Sequence, residues 1–208
     1  RDKDARNLGL LERACAAHPT DAVRRTYLAR ELIRAGQSAA TSSHVQAYTL
    51  IHVVNPESRA RLAELAGGQP YVENASDFLV FCADMKRSTE AAERSGADVT
   101  RGMTEQLLVA SVDVALMAQN VVIAAESAGL GICYIGGIRN NPQEVSDLLR
   151  LPEHVYPVFG LCLGYPDQDP EVKPRLPLAS ILKQDAYDDS DDETLVAEFD
   201  DTMARYYR

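Results

Sequence analysis

"TEQLLVASVDVALMAQNVVIAAESAGLGICYIGGIRNNP", residues Thr104–Pro142, holds the two elements on which the fold turns. Its first part is apolar on more than one face and lacks proline, so it reads as one long helix from about Thr104 to Gly129. A helix wetted so little belongs at the centre of the protein or of a dimer. The run Leu107–Ala125 is long enough for a bilayer, but Asp113, Gln119 and Asn120 interrupt it, and a buried soluble helix is expected. Four glycines (Gly129, Gly131, Gly136, Gly137) then flank the strand candidate "ICYI". A glycine pair beside a strand marks a place where something flat or bulky comes close to the backbone.

Working outward, "AYTLIHVV", "DFLVFCAD" and "VYPVFGLCLGYP" read as three further strands. "NPESRARLAELAGG" is a helix capped by asparagine and ended by glycines. "NPQEVSDLLR" is a helix with Asn141 as cap and Pro142 at its start, and "DDETLVAEFDDTMARYYR" is a final amphipathic helix. "KRSTEAAERSGADVTRG" is polar and reads as a mobile excursion; "DQDPEVKPRLP" reads as an extended loop. Strands alternate with helices, so the class is α/β or α+β. Residues 4–36 read as two helices broken at "HPTD", with Pro19 as stop and Thr20 or Asp21 as cap. They look like a single tetratricopeptide-type hairpin, which cannot bury its own apolar stripe. The expected organisation is that hairpin over 1–37 and one domain over 38–208.

Among 208 residues, 46% are hydrophobic and 25% charged, which is ordinary for a soluble globular protein. The net charge of −10 argues against nucleic acid as main partner, because phosphate binding needs a basic face. The acidic excess peaks in "QDAYDDSDDE", Gln184–Glu193, a solvated loop. None of Cys15, Cys82, Cys133 and Cys162 forms a Cys-x-x-Cys pair, and the last three sit in strand-like runs. Free buried thiols in a cytoplasmic protein fit this, with no signal peptide ahead of the first helix and no membrane partner.

The usual catalytic signatures are absent. Four histidines (His18, His44, His52, His154) give no His-x-x-x-His pair, and no cysteine cluster could hold a metal. "AESAG" around Ser127 lacks the first glycine of a nucleophile elbow. No P-loop occurs, and the glycines of "GLGICY" close a helix instead of opening one as a dinucleotide fingerprint does. What remains are small or polar residues at strand ends. Thr41, Ser42, Ser43 and Gln46 form one group; Gly67, Gly68 and Gln69 a second; Tyr134–Gly137 with Arg139 a third; Lys173 and Arg175 a fourth. Together they supply amide hydrogen bonds, close backbone approach and two charges for a phosphate, the equipment wanted by a flat, amide-rimmed, phosphorylated ligand such as flavin mononucleotide (FMN).

"AGQSAATSSHVQAY", "LAGGQPYV", "FLVFCADMKR", "FGLCLGYP", "KPRLP" and the opening stretch resemble, in order and spacing, the oxygen-insensitive NADPH nitroreductase and flavin reductase family from about Leu32 to Arg208. The resemblance implies an α+β fold, a mostly antiparallel sheet wrapped by helices, with the long helix as the core of a homodimer. It implies FMN as cofactor and NADPH as reductant, with electrons passing to nitroaromatics, quinones or free flavin as small-molecule partners. Carried over residue by residue, Thr41, Ser42, Ser43 and Gln46 lie beside the flavin. Gln69, Pro70 and Tyr71 line it, while Tyr134, Ile135, Gly136 and Gly137 pass their backbone against its ring. Lys173 and Arg175 take its phosphate, and Arg139 meets the nicotinamide or the acceptor. No side-chain acid or base and no metal is required, because the flavin carries the chemistry.

Two departures stand out. The family's early Arg-Ser-x-Arg element, which grips the flavin phosphate, is replaced by "LLERACAAHPTD", and the basic arm expected after Tyr206-Tyr207 is not in the sequence. Weakened FMN binding and a blurred preference for NADPH are therefore expected. The alternative is a catalytically weak homologue whose helical hairpin serves as a protein-interaction element.

Overall fold

The structure is a computed structural model and describes residues 22–208. The first half of the hairpin read in residues 1–37, with Cys15 and the "HPTD" break, lies outside the described residues. By contacts the chain divides into two compact units, the first ending at Pro166 and the second running Asp167–Arg208.

In the first unit a four-stranded sheet has the order β1-β2-β4-β3, from β1 (Tyr48–His52), β2 (Asp77–Asp84), β3 (Gly131–Ile135) and β4 (Val155–Gly164). Every pairing is antiparallel, which settles the class as α+β. β2 is buried from Phe78 to Asp84 because both of its faces are covered, and this explains its unbroken apolar run.

On one face lies α5 (Thr104–Ser127), the long helix, with α1 (Ala22–Gly36) against it. Leu28 and Leu32 of α1 join Phe81, Leu161, Val114, Met117 and Val121 in that core. The last helix of the N-terminal segment is thus part of the folded core. Gly36 lets the two helices touch, since a Cβ there would stand 2.6 Å from Val121 Cγ2. The other face carries α2 (Pro56–Leu65), the short α3 (Pro70–Asn74) and α6 (Pro142–Leu149) around Leu62, Val72, Phe78, Val80, Ile138 and Val145.

Local chemistry accounts for most boundaries. Asn55 Oδ1 accepts from Ser58 N at 2.9 Å and Pro56 opens α2, which ends where Gly67 and Gly68 take positive φ. Residues Lys86–Arg94, expected as a mobile excursion, instead form helix α4. Asp84, buried at the end of β2, caps it by accepting from Lys86 N (3.1 Å), and Lys86–Glu90 pair one turn apart. The second unit holds α7 (Leu178–Ile181) and α8 (Asp192–Tyr206). Asp192 Oδ1 accepts from Lys183 Nζ at 2.7 Å.

β4 contains a proline although it is a central strand. The register explains this: Phe81 faces Phe159 while Cys82 faces Pro157, so Val158 is the extra residue of a β-bulge. Further along β4, Gly160 sits under the ring of Phe78, where a Cβ would overlap two ring carbons. Gly160→Ala should therefore cost about 1–3 kcal/mol through overpacking, read as a lower urea midpoint with an unchanged slope.

Candidate functional site

The second and third groups read in the sequence are brought together. After Ile135 the chain enters a 3₁₀ turn, Gly136–Asn140, which lies against the C-terminal end of α2. Gly137 is required there because a Cβ would overlap the Ala66 carbonyl oxygen. Asn141, expected as a side-chain cap of α6, makes no cap hydrogen bond; its Nδ2 donates to Leu65 O at 3.1 Å and ties the turn to α2. The close approach at Gly137 is therefore to backbone, which answers part of the question raised by the glycine pair.

Gly136 has a different reason. The Arg139 guanidinium lies over it, with Nη2 3.0 Å from where a Cβ would be, and Arg139 Nη1 donates to the Val158 carbonyl. The bulge frees that carbonyl from a regular ladder position. Tyr134, which is 39% exposed, packs edge-on against Phe159 with ring centroids 5.0 Å apart. Burial, with the charge of Glu126 second, pushes its hydroxyl above the usual tyrosine range.

Gln69 stands at the N-terminus of α3, half-buried, and its side chain makes no hydrogen bond among the described residues. Pro70 and Tyr71 follow it, both exposed. Arg59 fixes the segment by donating to Val72 O (2.8 Å), Ala75 O (2.5 Å) and Ser76 O (3.4 Å). Cys162 Sγ donates to Tyr71 O at 3.3 Å.

The first group forms its own strained loop. Ser43, His44 and Gln46 have φ of 47°, 57° and 54°, and none is glycine. Thr41 Oγ1 accepts from Gln46 N at 2.9 Å, and Gln46 Nε2 stands 3.3 Å from His44 Nε2. Ser42, Ser43 and His44 are exposed. The loop is held by Asp113 of α5, a residue the sequence reading used only as an interruption of an apolar run. Its Oδ1 accepts from Ser42 N (2.9 Å) and its Oδ2 from Ala47 N (3.0 Å). Beside it the Tyr48 hydroxyl is buried without a hydrogen-bond partner among the described residues, and burial first, then the Asp113 charge, raise its pKa.

The fourth group belongs to the second unit. Lys173 Nζ donates to Tyr207 Oη at 3.3 Å and lies 5.7 Å from that ring's centroid; Arg175 Nη1 donates to Lys173 O at 3.1 Å. Both cations are exposed, and neither pairs with a carboxylate among the described residues. In the first unit, an uncommitted amide, an exposed tyrosine ring and a strained hydroxyl-rich loop are donors of the kind an amide-rimmed ligand takes. In the second unit, two exposed cations without carboxylate partners among the described residues are of the kind a phosphate takes. No group of three or more His, Cys, Asp or Glu able to hold a metal occurs among the described residues.

Residues 28–165 match the sequence model of the nitroreductase family, and residues 173–208 match that of the nitroreductase family C-terminal domain. The chain is 47% identical over 177 residues to a Cr(VI) reductase of Pseudomonas sp. (strain G-1), covering 85% of this chain and 73% of the relative. It is 45% identical over 181 residues to an FMN reductase (NADPH) of Bacillus subtilis (strain 168), with the same shares covered. Among solved structures, the NADPH:FMN oxidoreductase from Vibrio harveyi complexed with NAD+ superposes with a TM-score of 0.81 at 44% identity, over 86% of this chain and 75% of that one.

The thiols near these elements allow a test. Burial pushes Cys82 and Cys162 from 9.0 up to about 12. Both stay neutral in the folded state while the unfolded thiol ionises near 9, so the folded state holds more protons between those values. Stability should therefore fall as pH rises from about 9 toward about 12, checked by urea titrations at a series of pH values. At pH 8 a thiol reagent should leave Cys82 and Cys162 unmodified in the native protein and label them on unfolding.

Proposed function

The chain belongs to the nitroreductase family, and we propose that it works as an FMN-dependent NADPH oxidoreductase that reduces nitroaromatics, quinones or free flavin. The observation that carries this reading is the union of two loops. Gln69 with its uncommitted amide and the Tyr134–Arg139 turn are locked together through Gly137 on Ala66 and Asn141 on Leu65. When bound, FMN supplies the redox chemistry, taking a hydride equivalent from NADPH and passing the electrons to the acceptor.

The chain's own residues bind and orient. Gln69 offers an amide to the flavin's polar rim, and Pro70 and Tyr71 line the same loop. Tyr134, Ile135, Gly136 and Gly137 give backbone and one aromatic edge to the ring. Thr41, Ser42, Ser43 and Gln46 contribute hydroxyls and an amide from the strained loop. Lys173 and Arg175 take the phosphate as two unpaired cations. Arg139, drawn back onto Val158, is the group we assign to the nicotinamide or the acceptor.

The working form we propose is a homodimer, in the cytoplasm. Leu108, Val112, Leu116 and Ile123 are each more than 40% exposed and fall on one stripe of α5. By length and composition alone this helix could cross a membrane. Its buried Asp113, spent on two backbone N–H groups, and its coverage by the sheet favour a protein interface instead. Leu116→Glu, a change on the outer stripe, should convert a dimer to monomers in analytical ultracentrifugation while the circular dichroism spectrum is retained.

The reductase reading is tested by an anaerobic absorbance titration with FMN and then NADPH. Retained flavin bands that bleach on NADPH support it; a protein that retains no flavin after FMN addition sinks it. The double variant Lys173→Ala/Arg175→Ala should raise the Kd for FMN about tenfold to a hundredfold, because two charge-assisted bonds are lost at an exposed position. Riboflavin, which lacks the phosphate, should bind parent and double variant alike.

A further inference from the structure

We propose that Asp113 is a positioning residue for the cofactor: by holding the Thr41–Ala47 backbone at both ends, it sets the strained loop in the shape that faces the flavin. This rests on the flavin reading above. Asp113 is 1% exposed, in the middle of the most apolar helix of the described chain, where an unpaired carboxylate is costly. Both of its oxygens are used, and both on one loop: Oδ1 on Ser42 N and Oδ2 on Ala47 N. No other side chain among the described residues bonds these two N–H groups.

Between the two anchors the backbone passes through three non-glycine residues with positive φ, Ser43, His44 and Gln46. Such conformations are costly for residues that carry a Cβ and persist only where the surroundings over-determine them. Thr41 Oγ1 on Gln46 N supplies one constraint inside the loop. The carboxylate supplies two more from the rigid helix. The result is a turn whose exposed residues are Ser42, Ser43 and His44. A carboxylate is needed, because asparagine has one acceptor oxygen and would set its NH₂ against the second backbone N–H.

The test uses the full chain, with Asp113→Asn and, independently, Ser42→Pro, which removes one of the two N–H donors from an exposed position without touching the core. Hydrogen exchange on the FMN-free protein reads the loop directly. In the parent the Ser42 and Ala47 amides are protected. In Asp113→Asn they exchange about tenfold faster or more, while β2 and β4 are unchanged. FMN fluorescence quenching then gives a Kd raised about tenfold or more, with a shifted visible spectrum of the bound flavin. With FMN saturating, kcat stays close to the parent's, since the residue acts on affinity and not on the reacting atoms. Ser42→Pro has no amide at position 42, so it is read at Ala47, against Ser42→Ala, which loses the same hydroxyl but keeps the N–H. Relative to Ser42→Ala it speeds Ala47 exchange and raises the Kd, by less than Asp113→Asn does, and it carries the test alone where Asp113→Asn does not fold. Unchanged loop exchange overturns the proposal, as does faster exchange with unaltered FMN affinity and spectrum. A parent protein with protected Ser42 and Ala47 amides that binds no FMN overturns the flavin reading itself, and with it the cofactor half of this proposal.

Discussion

The constraint on which the rest depends is that helix α5 must be covered. A helix this apolar has no water-facing side of ordinary composition, so its surface has to be divided between partners. Its inner side takes the sheet, through Val114, Met117, Ala118 and Val121 against Phe81 and Leu161. α1 closes on it at Gly36, where the absent side chain allows the two helices to touch. The outer stripe of Leu108, Val112, Leu116 and Ile123 is left for a second copy of the chain in the proposed dimer. Within this apolar division the buried carboxylate of Asp113 is tolerable only because two backbone donors meet it.

The opposite face of the sheet shows how a small irregularity propagates. Pro157 cannot donate to a ladder, and the bulge it marks frees the carbonyl of Val158. Arg139 takes that carbonyl and folds over Gly136, while Gly137 presses on the Ala66 backbone. Asn141 then fastens the turn to the end of α2. Four sequence features that look unrelated, a proline, two glycines, an arginine and an asparagine, are thus one mechanical unit. It fixes where Gln69 and Tyr134 stand relative to each other.

Much of the fold was legible because burial leaves a periodic trace. β2 was read to its exact residues as "DFLVFCAD", and the long helix, α2 with its Asn55 cap, and the final helix were all found by apolar spacing and cap chemistry. The polar stretch after β2 was not read as a helix because its stability comes from Asp84 capping and i,i+4 ion pairs, which hydropathy does not register. α3 was missed because a five-residue helix pinned by Arg59 from sixteen residues away leaves no period of its own. Asn141 had the right residue type for a cap, yet the tertiary contact with Leu65 won over the local one. For the candidate site, the residues in motif-like clusters were legible. Asp113 and Arg59 were not, since each acts through the backbone of a distant segment; the signal available for Asp113 was a charge in the middle of an apolar run, away from the helix ends.

That difference has a physical origin in the kind of chemistry proposed. An enzyme whose reaction lies in its own side chains must keep a nucleophile, a base or a metal set at recognisable spacing. One whose reaction lies in a bound flavin needs the protein to supply shape, donors and two cations. Shape of this kind is written in backbone: a loop at positive φ held by a buried carboxylate, a turn pressed onto a helix end, a bulge that frees one carbonyl. Residue identity matters at those points only where an added Cβ, a missing N–H or a lost acceptor would break the geometry. The near absence of catalytic motifs in this sequence is therefore what a cofactor-carried reaction predicts, and the informative residues are those that constrain the main chain.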